Sequence, residues 1–535
     1  MIPWFKRRSE TITSAAAIVA SFSILSRVVG FVRDRILAGE FGAGDTLDVY
    51  FAAFRIPDLL FQLMVVGALS ASFIPLFTKH LKDKSDGKEW ELTNKILNLV
   101  ALAFGLMILL AIAFIEPLSS IVAPGFDAGK LDSLVSMARI MFGAQFILAI
   151  SMVFGSVLQG VRNFFIFSLA PIFYNVGIIA GAVFFVPLMG DIGLAWGVVF
   201  GAFLHFVLQY IGVKSLGYAY RPIFILKDKD VLFTIKHMVP RVLGLAVNQL
   251  NFLLMTIIAS TLAVGSITIL QFAYNLNFFA VGIIGVSYAV ASFPSLCELY
   301  NKGKKKEMVE TFSRTTRQML LFLVPATILF LMLRAQVVRL VVGAGAFDWD
   351  ATILTANTLG FFVLTLAPQS IVYLLVRMYF AQENTKAPFI FGSISAMVFA
   401  ITAMLTTQVY GVLGLGVAYS LSVIVQFILL WTSLRMRMGS LEEKKIMSAL
   451  WKMIVAGSLC AFSVQGMKYL IGGWLGLETF WSVFAQLIIA GGIGGLVYVL
   501  SAYAFDCEEM RAFVFGIKRK FLKASKPQET IAPQL

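Results

Sequence analysis

Residues 99–115 read LVALAFGLMILLAIAFI and carry no charged side chain. Because the hydrocarbon core of a bilayer is about 30 Å thick, a helix needs roughly 20 mostly apolar residues to cross it. Apolar blocks of that length recur along the 535-residue chain, separated by short charged stretches. The chain is 59% hydrophobic and only 13% charged, whereas an average soluble domain is about 25% charged. The pattern therefore predicts a protein with many membrane-spanning helices.

Hydropathy along the whole chain predicts an all-α membrane protein with roughly fourteen transmembrane helices. The first of them follows Lys6, Arg7 and Arg8 and so resembles a signal peptide. No small-residue cleavage site follows it, and we therefore expect it to stay as a span. The predicted spans are 12–38, 47–78, 93–115, 135–159, 167–188, 193–213, 232–262, 267–299, 310–335, 352–379, 388–408, 413–434, 447–471 and 480–504.

Basic residues are concentrated in every second connection between these spans. The basic segments are the N-terminus, 79–95, 214–241, 302–317, 435–445 and 518–526, whereas 117–131, 263–266 and 407–411 are short and acidic or neutral. Because cytoplasmic loops carry the excess of Lys and Arg, this alternation places both termini in the cytoplasm. It also accounts for the formal charge of +14 without a nucleic-acid partner.

Weak internal similarity at an offset of roughly 220 residues indicates a duplication. Gly67–Leu76 ends one long predicted helix before a basic loop, and Gly285–Leu296 ends another in the same way. We therefore predict two pseudo-symmetric six-helix lobes around a central cavity, followed by two further helices and a tail. The predicted boundaries are 1–215 for helices 1–6, 216–438 for helices 7–12, 439–506 for helices 13 and 14, and 507–535 for a basic cytoplasmic tail.

The sequence lacks the motifs of soluble enzymes, so we predict a transporter without catalytic residues, cofactors or a metal site. Gly125–Lys130 resembles a phosphate-binding loop but is one residue short and lacks the following Ser or Thr. Cys297, Cys460 and Cys507 lie far apart and form no CxxC pair. Without ATP machinery, transport is expected to depend on an ion gradient, the membrane potential or removal of the product.

The first predicted helix carries polar and charged residues at a regular spacing. Seven-residue steps place Ser26 above Arg33 and Arg27 above Asp34, on adjacent stripes of one face. A charge inside a span costs free energy unless it faces protein or water. These residues either snorkel to the interface or line a cavity that attracts an anionic group. We favour the cavity, because the outer loop that follows is short and neutral.

The second predicted helix carries a similar stripe, with Asp48, Arg55 and Gln62 at successive seven-residue steps. Pro57 lies between them and is expected to kink the helix. Arg55 and Asp58 are three residues apart, so a simple ion pair between them is the alternative to a role in binding.

The second lobe offers amides where the first offers cations. Asn248 lies in the seventh predicted helix and Asn275 in the eighth. Amides between membrane helices often do no more than hold the helices together, and that alternative stays open. A cavity with cations on one wall and amides on the other suits a phosphate-bearing and sugar-bearing substrate better than a hydrophobic cation.

These residues lie in motifs that resemble the MurJ/MviN family, the lipid II flippases of the multidrug/oligosaccharidyl-lipid/polysaccharide exporter superfamily. The resemblance runs over nearly the whole chain. The motifs that carry it are Ser26–Asp34, Phe41–Gly44, Phe54–Leu60, Gly67–Pro75, Leu158–Gly160, Ala170–Asn175, Tyr379–Pro388 and Gly411–Leu415.

The resemblance implies a substrate, the undecaprenyl-diphosphate-linked peptidoglycan precursor, and a groove along the last two helices for its polyprenyl tail. It implies alternating-access transfer of this lipid from the inner to the outer leaflet of the bacterial cytoplasmic (inner) membrane, for cell wall synthesis. A multi-pass monomer among membrane lipids is expected. The family's helix-one arginines correspond to Arg27 and Arg33, and its helix-two aspartate to Asp48. We expect these arginines and Arg55 to bind the diphosphate, with Asp34 and Asp48 orienting or gating them.

The chain departs from the family pattern on the second helix. Many members carry two arginines and a glutamate where this chain has Phe61, Gln62 and Val66. The family's helix-eight arginine falls at or near Asn275, and an acidic residue of some members' sodium site falls near Met255, so no sodium dependence is predicted. Two alternatives stay open: a flippase for another polyprenyl-linked saccharide, such as an O-antigen or capsule unit, and a cation-coupled small-molecule antiporter.

Overall fold

The computed structural model describes residues 12–63, 73–82, 87–223, 228, 249, 251–475 and 479–521. Over these ranges the regular structure is helical and contains no β-strand. In chain order the helices are α1 (Ile12–Phe41), α2 (Asp45–Ala53), α3 (Arg55–Phe61), α4 (Ile74–Lys82), α5 (Lys88–Ala113), α6 (Ile115–Val122), α7 (Ala128–Gly160), α8 (Phe164–Ala180), α9 (Val186–Met189), α10 (Ile192–Lys214), α11 (Asn251–Ser260), α12 (Ser266–Ala280), α13 (Ser287–Asn301), α14 (Lys305–Val341), α15 (Trp349–Leu364), α16 (Leu366–Ala381), α17 (Lys386–Tyr410), α18 (Val412–Met438), α19 (Glu443–Leu475), α20 (Phe480–Ala504) and α21 (Glu508–Phe521). Single π-helical stretches, Gly181–Phe185 and Val281–Val286, join α8 to α9 and α12 to α13.

Long apolar helices make up most of the chain. Ten helices in the described ranges are long and apolar enough to cross a membrane, counting α8 with α9 and α12 with α13, and the pair α15 and α16, bent by 48°, gives an eleventh when it is counted as one span. These eleven spans correspond one to one to predicted spans. Their outer faces are apolar: on α17 the side chains of Met404, Leu405 and Val409 are 62%, 67% and 73% exposed. The prediction of an all-α membrane protein is confirmed.

The other three predicted spans are 12–38, 47–78 and 232–262, and the count of fourteen is not confirmed. The first is the helix α1, which carries several charges. The second is interrupted, and Gly67 and most of the predicted repeat motif lie outside the described residues. The third is described at residue 249 and from residue 251 onward, where it forms α11.

The second predicted span is broken where Pro57 removes a hydrogen bond. Proline has no N–H, so it leaves the carbonyl four residues earlier, that of Ala53, without its helical donor. The helix α2 ends at Ala53, and α3 begins at Arg55. Phe54, the one residue between them, keeps helical dihedral angles (φ −70°, ψ −25°), so the effect of Pro57 is an interruption of the helical hydrogen bonds.

The chain divides into two compact units. The first comprises Met1–Phe279, Val338–Phe362 and Thr385–Gln426. Within it α8 and the π-helical stretch that follows it pack closely against α10, so that a Cβ at Gly177 or Gly181 would collide with the backbone of Gly201 or Gly197. This contact holds α8, the helix that carries Asn175, in place within the unit.

The second unit comprises Ala280–Val337, Val363–Asn384 and Phe427–Leu535. Within it α19 packs against α20 through small residues, since a Cβ at Gly494 would collide with the side chain of Val464. This division does not follow the predicted boundary between residues 215 and 216. The two lobes remain a prediction.

Candidate functional site

A polar cavity of about 300 Å³ lies within the first unit. Residues of α1, α2, α3, α7, α8 and α12 line it, together with Phe54 and Gln62 at the ends of α3. They are Arg33, Leu37, Tyr50, Phe51, Phe54, Arg55, Asp58, Phe61, Gln62, Gln145, Leu148, Tyr174, Ile178, Gln271 and Asn275. Four of the predicted site residues thus face the same cavity: Arg33, Arg55, Gln62 and Asn275.

Arg33 is held by two partners at the wall of this cavity. Its Nε and Nη2 both donate to Asp34 Oδ1, at 3.0 and 2.7 Å, and its Nη1 donates to Asn175 Oδ1 at 2.9 Å. Asn175 in turn donates to the carbonyl of Pro171 at 3.0 Å. Asp34 is only 2% exposed. Arg33 therefore neutralises a buried carboxylate and ties α1 to α8.

The second oxygen of Asp34 begins a chain of hydrogen bonds that ends at Arg55. Asn275 Nδ2 donates to Asp34 Oδ2 at 3.2 Å, and Gln271 Nε2 donates to Asn275 Oδ1 at 2.9 Å. Arg55 Nη2 donates to Gln271 Oε1 at 2.7 Å, and Arg55 Nε donates to Thr256 Oγ1 at 2.7 Å. The cations of the predicted first lobe and the amides of the predicted second lobe thus form one network, which we call the cavity relay.

Arg55 and Asp58 face the same cavity but bind different partners. Asp58 Oδ1 accepts a hydrogen bond of 2.7 Å from Gln145 Nε2. The hydrogen bonds of Arg55 go to a hydroxyl and an amide, and its guanidinium lies 5.8 Å from the ring centre of Phe252. No Arg55–Asp58 ion pair within 4 Å is present in the described part of the chain. The charge of Arg55 is therefore held by neutral acceptors.

Asp48 lies apart from the cavity relay, at the first turn of α12. Its Oδ2 accepts from the N–H of Gly265 at 2.7 Å, and its Oδ1 accepts from the N–H and Oγ1 of Thr268 at 2.8 and 2.7 Å. The first N–H groups of a helix lack partners within the helix and carry the positive end of its dipole. A buried carboxylate from α2 thus caps α12. The stripe predicted through Asp48, Arg55 and Gln62 is divided, because Arg55 and Gln62 line the cavity and Asp48 does not.

Further close contacts surround this cap. The N–H of Ala346 donates to the carbonyl of Gly39 at 2.8 Å, and Arg35 Nη1 donates to the carbonyl of Leu340 at 2.6 Å. Gly265, with a φ of 88°, and Gly42, with a φ of 64°, lie directly against the carbonyls of Ala43 and Ala346. A side chain at either glycine would be strained and would collide. We call this set of contacts the Asp48 closure.

The remaining predicted residues lie beside the relay or outside the described part. The Arg27 guanidinium lies 5.9 Å from the ring centres of both Phe278 and Phe279. Ser26, one residue earlier on α1, is half-buried. Asn248 lies outside the described residues.

The charged residues of the site have partners that the sequence analysis did not place among the site residues. Asn175, Gln145, Gln271 and Thr256 all bind a charged member of the site. Gln145 had a usable signal, because it is an amide near the middle of the apolar span 135–159 and such residues are rare in membrane helices. Thr256 had none, because threonine is common in these helices and its hydroxyl can bond its own backbone.

Comparison with known proteins gives a consistent result. The sequence profile described as "Lipid II flippase MurJ" matches residues 37–484. A probable lipid II flippase MurJ of Bdellovibrio bacteriovorus is 27% identical over 515 residues, covering 94% of this chain and 97% of the relative. A protein of the same description from Rhizobium tropici is 26% identical, covering 95% and 96%.

Solved structures show the same fold. A lipid II flippase MurJ in an inward closed conformation superposes with a TM-score of 0.74 at 23% identity, over 93% of this chain and all of the other. An inward-facing multidrug transporter of the MATE family superposes with a TM-score of 0.67 at 14% identity, over 80% and 99%. At these identities the superpositions establish the fold alone.

Proposed function

Because the chain belongs to the lipid II flippase MurJ family, we propose that it moves lipid II from the inner to the outer leaflet of the cytoplasmic membrane for cell wall synthesis. The protein is a multi-pass membrane transporter and not an enzyme. We propose that both termini are cytoplasmic, which the alternation of basic and neutral loops supports. We propose that it works as a monomer by alternating access, with the polyprenyl tail along α19 and α20.

We assign the diphosphate of the substrate to the cavity relay. The observation that carries this assignment is that, within the described residues, Arg55 donates to the neutral acceptors Thr256 and Gln271 and forms no ion pair within 4 Å. Hydrogen bonds from a guanidinium to phosphate oxygens are charge-assisted and stronger than those to neutral oxygens. A phosphate that enters the cavity therefore displaces these two acceptors from Arg55.

This exchange would couple binding to conformational change. Arg55 lies on α3, whereas Thr256 and Gln271 lie on α11 and α12, so each hydrogen bond that Arg55 transfers to phosphate removes a link between those helices. Arg33 differs, because it stays paired with the buried Asp34 and holds the opposite wall in place. Substrate thus loosens one side of the site and leaves the other intact.

The other predicted residues take supporting roles in this proposal. Gln62 lines the cavity and offers its amide to the sugar-bearing part of the substrate. Arg27, with Ser26 beside it, forms a second cationic position on α1 along the path to the relay. Asp48 holds the Asp48 closure, and Asn248 remains a proposed hydrogen-bonding residue of the second lobe.

The test is Arg55→Gln, scored by rescue of a conditional flippase-deficient bacterium and by the amount of lipid II in the outer leaflet. We expect lipid II transfer to fall by roughly 100-fold, since hydrogen bonds to a charged group contribute about 1.5–3 kcal/mol each. Because glutamine still donates to neutral acceptors, the protein should fold and reach the membrane. Arg314→Gln, an exposed arginine of α14, is the matched control. Transfer at the parent rate by Arg55→Gln would refute the assignment.

A flippase for another polyprenyl-linked saccharide is the second candidate. It is favoured by Phe61 and Gln62, which line the cavity at positions where many family members carry arginine. Failure of the unmodified protein to rescue lipid II transfer, despite normal membrane levels, would select this candidate.

A further inference from the structure

Two cations lie on neighbouring helices of the second unit. Arg334 is on α14 and Lys468 is on α19, and both are half-buried. Lys468 Nζ donates to the carbonyl of Met332 at 2.8 Å, and Arg334 Nη1 donates to the carbonyl of Leu331 at 2.9 Å. Both cations therefore bind the same turn of α14. Within the described ranges neither forms an ion pair with a carboxylate.

Charge-free segments place this pair at one surface of the membrane. Arg334 lies 17 residues after Arg317, and Lys468 lies 16 residues after Lys452, with no charged residue between the members of either pair. At about 1.5 Å per residue each segment is about 25 Å long, close to the thickness of the hydrocarbon core. Arg317 and Lys452 line a common surface pocket. The two helices thus carry matched cations at both membrane surfaces.

Exposed aromatic residues accompany Arg334 and Lys468 at this membrane surface. Tyr469 follows Lys468 directly and is 86% exposed, and Trp481, in the first turn of α20, is 73% exposed. Tyrosine and tryptophan are enriched at the boundary between hydrocarbon and headgroups. With the proposed orientation of the helices, this boundary is the outer one, where lysine and arginine are disfavoured unless they have a binding role.

We propose that Arg334 and Lys468 bind the phosphate of a lipid in the outer leaflet. Two adjacent cations repel each other, and a phosphate between them would neutralise both and accept charge-assisted hydrogen bonds. The same chemistry is present in the phosphodiester of an anionic phospholipid and in a polyprenyl diphosphate. The site rests on the proposed orientation, but it does not require that the cavity relay binds substrate.

The test uses the full-length protein with a photo-crosslinking amino acid at position 469, in vesicles that contain radiolabelled phosphatidylglycerol. We expect the protein that keeps Arg334 and Lys468 to crosslink to this lipid through position 469. The variant Arg334→Gln with Lys468→Gln should need roughly thirtyfold more lipid for the same yield, because each cation at an anionic surface contributes about fivefold. The matched control is Arg314→Gln with Lys444→Gln, which removes one exposed cation from each of the same two helices at the opposite end.

Two further arms distinguish the sources of phosphate and exclude a structural role. Competition by undecaprenyl diphosphate at much lower concentration than phosphatidylglycerol would identify the polyprenyl lipid as the occupant, and equal competition would identify an ordinary anionic lipid. Equal crosslinking of diacylglycerol, which lacks phosphate, would overturn the proposal. So would an unchanged yield in Arg334→Gln with Lys468→Gln. Glu478→Gln is a further control for a residue outside the described part of the chain. We expect it to leave the crosslinking yield unchanged, which would show that the Glu478 carboxylate does not neutralise the pair.

Discussion

The cavity relay of the first unit and the helix pair α19–α20 of the second differ in where their charged side chains lie along the helices. The relay places Arg33, Asp34 and Arg55 inside a membrane protein and satisfies each with a specific partner. The segment 453–467 of α19 carries no charge, and α19 packs against α20 through Gly494. Charges at depth therefore coincide with the proposed substrate site, whereas charges near the ends of a helix fit the proposed membrane surfaces.

The largest effect in this comparison is expected from Arg33→Ala. It leaves the carboxylate of Asp34 buried without a cation and frees Asn175, and loss of one partner of a buried pair costs about 3–5 kcal/mol. We expect a lower thermal unfolding temperature in detergent and no lipid II transfer.

The double variant Arg33→Gln with Asp34→Asn separates stability from transport. Replacing both partners removes the unpaired charge, so the unfolding temperature should return close to that of the parent. Transfer should stay low, because the cation is still absent. Recovery of transfer together with stability would show that Arg33 has only a structural role.

A smaller effect is expected from Gly494→Val in the second region. The added side chain would meet Val464 and the sulfur of Cys460, and overpacking typically costs about 1–3 kcal/mol. Phe462→Val, at a position of α19 that is 76% exposed, is the matched control and should have little effect. Thermal unfolding of both variants checks this. A loss of transfer without any loss of stability would contradict the contrast between the two regions.

The smallest effect is expected from Asp48→Asn. Asparagine keeps one acceptor, so one of the bonds to Gly265 or Thr268 is lost along with the charge at the start of α12, at a cost of about 1 kcal/mol. The Asp48 closure should open more often. Labelling of Leu47→Cys, a fully buried position, with a membrane-impermeant maleimide from outside should become faster in a background without the native cysteines. An unchanged labelling rate would show that Asp48 does not hold this end closed.

The fold followed from the sequence where the bilayer sets the length of a segment. The eleven long spans agree with the predicted ones to within seven residues at each end, because hydrocarbon thickness dictates how long an apolar block must be. The predicted span 47–78 is broken, because Pro57 acts on the backbone of Ala53 and hydropathy does not register a lost hydrogen bond.

For the candidate site, helical spacing along α1 selected two residues that contact each other in the structure. Arg33 and Asp34 lie on the unbroken α1, and both take part in the cavity relay. Asp48 was placed on one stripe with Arg55, but Arg55 lines the cavity whereas Asp48 accepts hydrogen bonds at the start of α12. Thr256 and Asn175 could not be selected, because their roles depend on which helices meet rather than on spacing within one helix. Their roles in binding remain predictions.

The close contact between α8 and α10 has a consequence for how the protein is made. Only Gly190 and Asp191 separate the span that contains α8 and α9 from α10, and the backbones meet at Gly177 and Gly201. Such a helical hairpin needs no other part of the chain to pack, so it can assemble as soon as both helices have left the ribosome and entered the bilayer. Asn175 would then already be in place when the ribosome reaches the codon for Thr256. The α8 wall of the candidate site would form before α11 and α12, the helices whose links to Arg55 are proposed to change.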